Sequence, residues 1–238
     1  MASRPAKTRV VLLPGLHGTA GLCEEFVALA PPQCELMVLS YPLDRALDYA
    51  TLTHWICEEL EQMPSPVLLV GESFSGPLAV FVAQRRPSRV LGVVLVASFI
   101  APPRPPWLRY LPWRRIFSLA KAGHRLGLRV FGRLAPTSLM HAVFIELQRV
   151  GSDILALRLR QTLQVDAVSA LEASNYPLLY LQAARDWVVP RSSLRRLLRV
   201  RAGVRVARFP SSHFLLQEVP EQAWLAIVTF IASLPPAI

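Results

Sequence analysis

Ser73 stands in the run Val67-Leu68-Leu69-Val70-Gly71-Glu72-Ser73-Phe74-Ser75-Gly76, an apolar stretch followed by Gly-x-Ser-x-small and then by residues that suit a helix. That order puts a hydroxyl on a sharp turn at the end of a strand with its oxygen exposed, which is what a serine needs to attack a carbonyl carbon. Gly71 lets the backbone bend tightly. Ser75 replaces the glycine more usual two residues on, and Gly76 follows it; serine is small enough for the position. The plain alternative is an ordinary serine-rich turn. Ser75 is a weak rival nucleophile, because Pro77 stands two residues beyond it.

A serine nucleophile needs a base to take its proton. The histidines are His17, His54, His124, His141 and His213. His54 falls on an amphipathic helical pattern, His124 and His141 fall in helical sequence far from any strand end, and His17 lies in a Gly-rich turn. Only His213 follows the last strand, in the loop Pro210-Ser211-Ser212-His213, from which it can swing over the serine. The base in turn needs a carboxylate on its other ring nitrogen. Asp186 follows a strand in Ala184-Arg185-Asp186-Trp187-Val188-Val189-Pro190 and gives the chain order Ser, Asp, His. Asp153 and Asp166 sit in helical sequence and are poorer choices.

Acyl transfer also needs N–H donors where the oxyanion develops. Leu13-Pro14-Gly15-Leu16-His17-Gly18-Thr19-Ala20-Gly21 leaves the first strand as a Gly-rich loop able to supply one. The expected donors are the backbone N–H groups of Phe74 and Leu16, or of His17 if the loop is shifted by one. The loop lacks the lysine and the glycine spacing of a phosphate-binding loop.

The elements that must hold these residues alternate. Strands are predicted at Arg9–Leu13, Glu35–Ser40, Val67–Val70, Val90–Ala97, Pro177–Gln182 and Val204–Arg208. Helices are predicted around Leu22–Leu29, Leu52–Leu60 and Pro77–Gln84, and in a last segment carrying Trp224, Ile227, Val228 and Ile231 on one face. Such alternation implies an α/β fold with a mostly parallel sheet and helices on both faces. The strands are near-continuous apolar runs, as burial of both faces demands. The alternation fails between residues 102 and 173, which open on Pro102, Pro103, Pro105, Pro106 and Pro112 and then turn helical. That stretch is too long for a simple crossover and is expected to form a helical cap inserted into a core of residues 1–101 and 174–238.

The chain has 238 residues, 53% of them apolar and 18% charged, so it can bury a large core and is not disordered. Cys23, Cys34 and Cys57 form neither a disulfide framework nor a metal-binding pair. The apolar run at the N-terminus is too short for a signal peptide, and Val90–Ala101 is too short to span a bilayer. The cytoplasm is the expected location. The net charge of +10 is nearly all arginine, but no nucleic-acid-binding pattern accompanies it, and none is expected as a partner. Between Arg104 and Arg133 lie eight Arg or Lys and no acid, interleaved with Trp107, Tyr110, Trp113 and Phe117. An anionic membrane surface or an acidic carrier would satisfy that charge; the alternative is a solvated surface.

On the stretches around Pro14–Gly21, Gly71–Gly76, Arg185–Pro190 and Ser211–Phe214, the chain resembles the α/β-hydrolase superfamily over essentially its whole length. It is most similar to compact bacterial esterase-type serine hydrolases that lack the N-terminal strand pair many members place first. A narrower likeness, over residues 163–189, is to carboxylesterases acting on acyl-carrier-protein methyl esters. The resemblance implies a sheet of about six strands and no metal or organic cofactor. The expected activity is hydrolysis of a small ester with an apolar acyl group, with Trp107, Trp113 and Phe117 as pocket walls. A thioesterase or acyltransferase would use the same triad, and a binding protein could keep the fold without turnover. A serine at position 73 argues against dehalogenase and epoxide-hydrolase members, which use aspartate there.

Overall fold

Val10–Leu13, Val67–Val70 and Val93–Val96 are apolar at every position because alternate residues enter opposite cores. The computed structural model describes residues 7–123 and 137–235. Its strands are β1 (Thr8–Leu13), β2 (Cys34–Val38), β3 (Val67–Glu72), β4 (Val90–Val96), β5 (Leu178–Ala183) and β6 (Arg205–Phe209). They form one sheet in the order β2-β1-β3-β4-β5-β6, with all five pairings parallel. The chain turns back at β1, so the loops after β1 and β3 leave in opposite directions and open a crevice at the strands' C-terminal ends. The residues singled out for chemistry lie at that edge.

One face is covered by α2 (Tyr49–Glu61), α3 (Ser75–Arg85), α7 (Val168–Glu172) and α8 (Arg191–Val200), whose Leu52, Ile56, Leu78, Leu171 and Leu197 join Val11, Leu69 and Leu95. The other is covered by α1 (Glu24–Ala28), α9 (Leu215–Glu218) and α10 (Pro220–Ile231). There Trp224 stacks on Phe26 at 4.6 Å and donates its indole N–H to the Phe26 carbonyl at 2.8 Å. Cys23, Cys34 and Cys57 are free and buried.

Between β4 and β5 the described residues hold no strand. A 3-10 turn at Pro106–Tyr110 leads to α4 (Trp113–Ala122), α5 (Thr137–Arg149), α6 (Ser152–Thr162) and α7. Phe117 of α4 and Leu147 of α5 pack against Val150, Ile154 and Leu155, a small core separate from the two on the sheet. No helix among the described residues is long and apolar enough to cross a membrane. The strands predicted from sequence are all present, with ends shifted by a residue or two, and the expected helix at Leu22–Leu29 is a 3-10 turn (Gly21–Cys23) running into α1.

The passage from β3 to α3 is the tightest part of the fold. A methyl on Gly71 would stand 2.6 Å from the carbonyl oxygen of Ser75 and 2.9 Å from its carbon, with no flexible side chain to yield. Gly71→Ala should therefore cost about 1–3 kcal/mol, as overpacking does. Urea unfolding checks this, and an unchanged midpoint would contradict it.

Candidate active site

Ser73 follows the last residue of β3 with φ +50°, a left-handed backbone that serine rarely adopts. Its neighbours hold it there. The Ser73 N–H donates to Val96 O at 2.9 Å, while Ser98 Oγ (2.6 Å) and the Gly76 N–H (3.1 Å) both donate to Ser73 O. Tyr180 OH in turn donates to Ser98 O at 2.7 Å.

The loop after β6 brings His213 to this turn, with Nε2 2.9 Å from Ser73 Oγ. The loop after β5 brings Asp186, whose Oδ2 lies 2.8 Å from His213 Nδ1. The other oxygen of Asp186 accepts the N–H groups of Val188 and Val189, each at 2.8 Å. The carboxylate is thus held by two backbone donors and leaves one oxygen for the ring. A hydroxyl, an imidazole and a carboxylate in this row can move the hydroxyl proton onto the ring as the oxygen attacks.

The three predicted residues are brought together; of the set-aside residues His17 also lines the cavity, and Ser75, Asp153, Asp166 and His54 do not. Ser75 is fully buried and donates its hydroxyl to Pro14 O, which leaves it to accept from Tyr41 OH at 2.5 Å. It pins the loop after β1 to the turn after β3 and is no nucleophile. Asp166 accepts the N–H of Val168 at the start of α7, Asp153 lies in the first turn of α6, and His54 pairs with Glu58 at 3.2 Å on the exposed side of α2. His124 lies outside the described residues.

Leu16, His17 and Phe74 all line the cavity above Ser73. Among the described residues their backbone N–H groups donate to no protein acceptor. The carbonyl of Gly15 accepts from Gly18, which turns the N–H of Leu16 the opposite way across a trans peptide. The next two carbonyls are held by a residue sequence reasoning missed. Arg158, buried on α6, donates from one nitrogen to Leu16 O at 3.0 Å and His17 O at 2.8 Å, and lies over the Tyr41 ring. Burial lowers this guanidinium to about 10, so it remains a cation. No local signal marks Arg158, since its partners are more than a hundred residues away in the chain.

His17 is also in this network. Its Nδ1 lies 2.8 Å from Thr19 Oγ1 and 3.1 Å from the Thr19 backbone nitrogen. Thr19 Oγ1 donates to the buried Glu146 at 2.5 Å, which ties the loop to α5. Behind the serine, burial raises the Glu72 carboxyl above the usual carboxylate range, against a 3.2 Å hydrogen bond from Gln217 and the pull of His213.

The cavity measures about 240 Å³ and is walled mainly by apolar side chains, among them Phe99, Val143, Leu147, Leu159, Leu163 and Val188. Trp107, Trp113 and Phe117 are not among the residues that line it, which corrects the sequence-based expectation. Phe117 turns into the small core around Ile154, Trp113 donates its indole N–H to Leu108 O at 2.7 Å, and Trp107 faces solvent. The walls come from α5, the end of α6 and the loop after β5 instead. Among the described residues no three His, Cys, Asp or Glu side chains converge on a metal-sized site.

The profile of the alpha/beta hydrolase family matches residues 10–227. No curated protein matches the sequence significantly. Solved structures do match. An esterase from Exiguobacterium antarcticum superposes with a TM-score of 0.77 at 18% identity, over 96% of this chain and 93% of that one. The enol-lactonase from Burkholderia xenovorans LB400 gives 0.76 at 16% identity, over 98% and 94%. A hydrolase from Pseudomonas aeruginosa PA01 gives 0.77 at 18% identity, over 95% and 91%. Identities this low carry the fold and not the activity.

Burial, aided by the charge of Arg158, lowers the His17 imidazole from 6.5 to about 4. The unfolded chain therefore takes up a proton first as pH falls, and stability is lost between about 6.5 and about 4 and levels off below. His17→Gln should flatten that part of the stability–pH curve, by at most about 3 kcal/mol. Urea unfolding of both proteins across this range checks it, and parallel curves would contradict it.

Proposed function

We propose, since the chain belongs to the alpha/beta hydrolase family, that it hydrolyses carboxylic esters through an acyl-enzyme on Ser73. The observation that carries this reading is the hydrogen-bonded row from Ser73 Oγ through His213 to Asp186 at 2.9 and 2.8 Å, opening into an apolar cavity. Ser73 Oγ attacks the ester carbonyl carbon, and its proton passes to His213 Nε2. The carbonyl oxygen becomes an oxyanion, which accepts from the N–H of Phe74 and the N–H of Leu16 or His17. Donors fixed in advance stabilise that charge without reorganising, which is their advantage over water. The intermediate collapses and expels the alcohol, which takes the proton from His213. Water then repeats the sequence on the acyl-enzyme and releases the acid.

Each remaining residue has a part in that sequence. Asp186 keeps the ring proton on Nδ1 and stabilises the imidazolium as it forms. Arg158 and Ser75 hold the donor loop at the turn after β3. The apolar walls favour an apolar acyl group and exclude water from the oxyanion.

Ser73→Ala should lower kcat for a soluble ester by several orders of magnitude, on the order of 10⁶. Asp186→Asn should lower kcat by roughly 10⁴ with little change in KM, because the imidazole tautomer is lost. Steady-state kinetics with a graded series of acyl esters checks both. Retention of more than about a tenth of the activity by Ser73→Ala would overturn the reading.

A further inference from the structure

Beyond Arg104, residues 105–121 do not line the cavity, and the composition of this stretch is one-sided. From Ser73 to Ile145 the chain holds no acidic residue. Among the described residues, Arg104, Arg109, Arg114 and Arg115 form no ion pair. Arg104 instead donates to the carbonyls of Trp187 and Val188, and Arg109 lies over the ring of Tyr110 at 4.7 Å. Arg196 and Arg199 of α8 share a groove with Pro102, so the basic surface runs on past the start of the insertion.

Large apolar side chains stand among these charges. Trp107 is 61% exposed, Tyr110 75% and Leu119 72%, with Ile116 and Trp187 also open to solvent. α4 has no buried residue at all. A face that meets only water gains from mixing the signs of its charges and rarely gathers several large apolar side chains. Large apolar residues beside arginine are what a surface entering a lipid interface needs, and Trp and Tyr suit the boundary between headgroups and water.

We propose that the outer face of residues 104–121 docks on an anionic phospholipid bilayer. Trp107, Tyr110 and Leu119 would enter the headgroup region, and Arg109, Arg114 and Arg115 would meet its phosphates. An acidic protein would satisfy the arginines but would leave the exposed Trp, Tyr and Leu unexplained, so lipid fits both halves of the observation. Arg104 lines the cavity and also holds Trp187, so docking brings the cavity's rim to the bilayer and its acyl esters within reach. The docking itself does not rest on the hydrolytic reading.

The test is sedimentation with vesicles of phosphatidylcholine alone and of phosphatidylcholine mixed with phosphatidylglycerol. The protein should bind the mixed vesicles, less so as salt is added, and bind pure phosphatidylcholine far more weakly. Replacing Arg109, Arg114 and Arg115 together by Gln should weaken binding by on the order of a hundredfold. Tyr110→Ser with Leu119→Ser should weaken it too. Both variants should turn over a small soluble ester as the unaltered protein does, which also reports that they fold. Ser73→Ala should bind vesicles normally, so a failure of the hydrolytic reading is told apart from a failure of docking. Equal binding to both vesicle types, or normal binding by the arginine variant, would overturn the proposal. So would binding to soluble polyglutamate that Tyr110→Ser with Leu119→Ser leaves intact, since that marks an acidic protein surface.

Discussion

A serine at φ +50° joins a fully buried strand to a mostly buried helix, and the neighbouring chain is arranged around that conformation. A left-handed serine costs about 1–3 kcal/mol and persists only where its surroundings over-determine it. Here they do. The two strands beside the turn end in matching ways, because Ala97 after β4 also has a positive φ, of 44°. Its N–H reaches β5 at Leu181 O, the next residue's hydroxyl reaches back to Ser73 O, and Tyr180 secures that residue's carbonyl. The strain at Ser73 is thus shared with two further strands whose burial is not negotiable.

The insertion does more than cover the crevice. Arg158 of α6 reaches down to two carbonyls of the loop after β1, and Glu146 of α5 reaches Thr19 in the same loop. Gly18, at φ +74°, has no room for a side chain beside that guanidinium and Tyr41. The orientation of the loop after β1 therefore depends on helices that stand between β4 and β5 in the chain. A buried arginine with no carboxylate partner is costly in general. Three backbone carbonyls and the face of Tyr41 offset that cost here.

Ser73 and Asp186 were legible because each follows an apolar run that reads as a buried strand, and His213 because it follows the last strand, whose apolar residues alternate with arginines; a parallel sheet sends all such ends to one edge. The same logic pointed to the Gly-rich loop after β1. The apolar runs of β3, β4 and β5 need two covered faces and so imply a parallel arrangement, while β2 and β6 at the sheet's edges are mixed and partly exposed. That logic failed for the cavity walls. Trp107, Trp113 and Phe117 attracted attention by type, but an aromatic residue does not reveal which side of its helix faces the site, and Phe117 serves a separate small core. Arg158, Glu146 and the Ser75–Tyr41 pair were invisible for another reason. They act across long stretches of chain, and no local pattern records such a pairing.

The account stands on Ser73 being an activated nucleophile, made so by His213 and Asp186. Reaction with a fluorophosphonate, followed by mass mapping of the modified peptide, tests this directly. The account predicts one phosphonyl adduct, on Ser73, that forms at neutral pH and is lost when His213 is replaced by Ala. A protein that stays unlabelled, or an adduct on Ser75 or elsewhere, would contradict it.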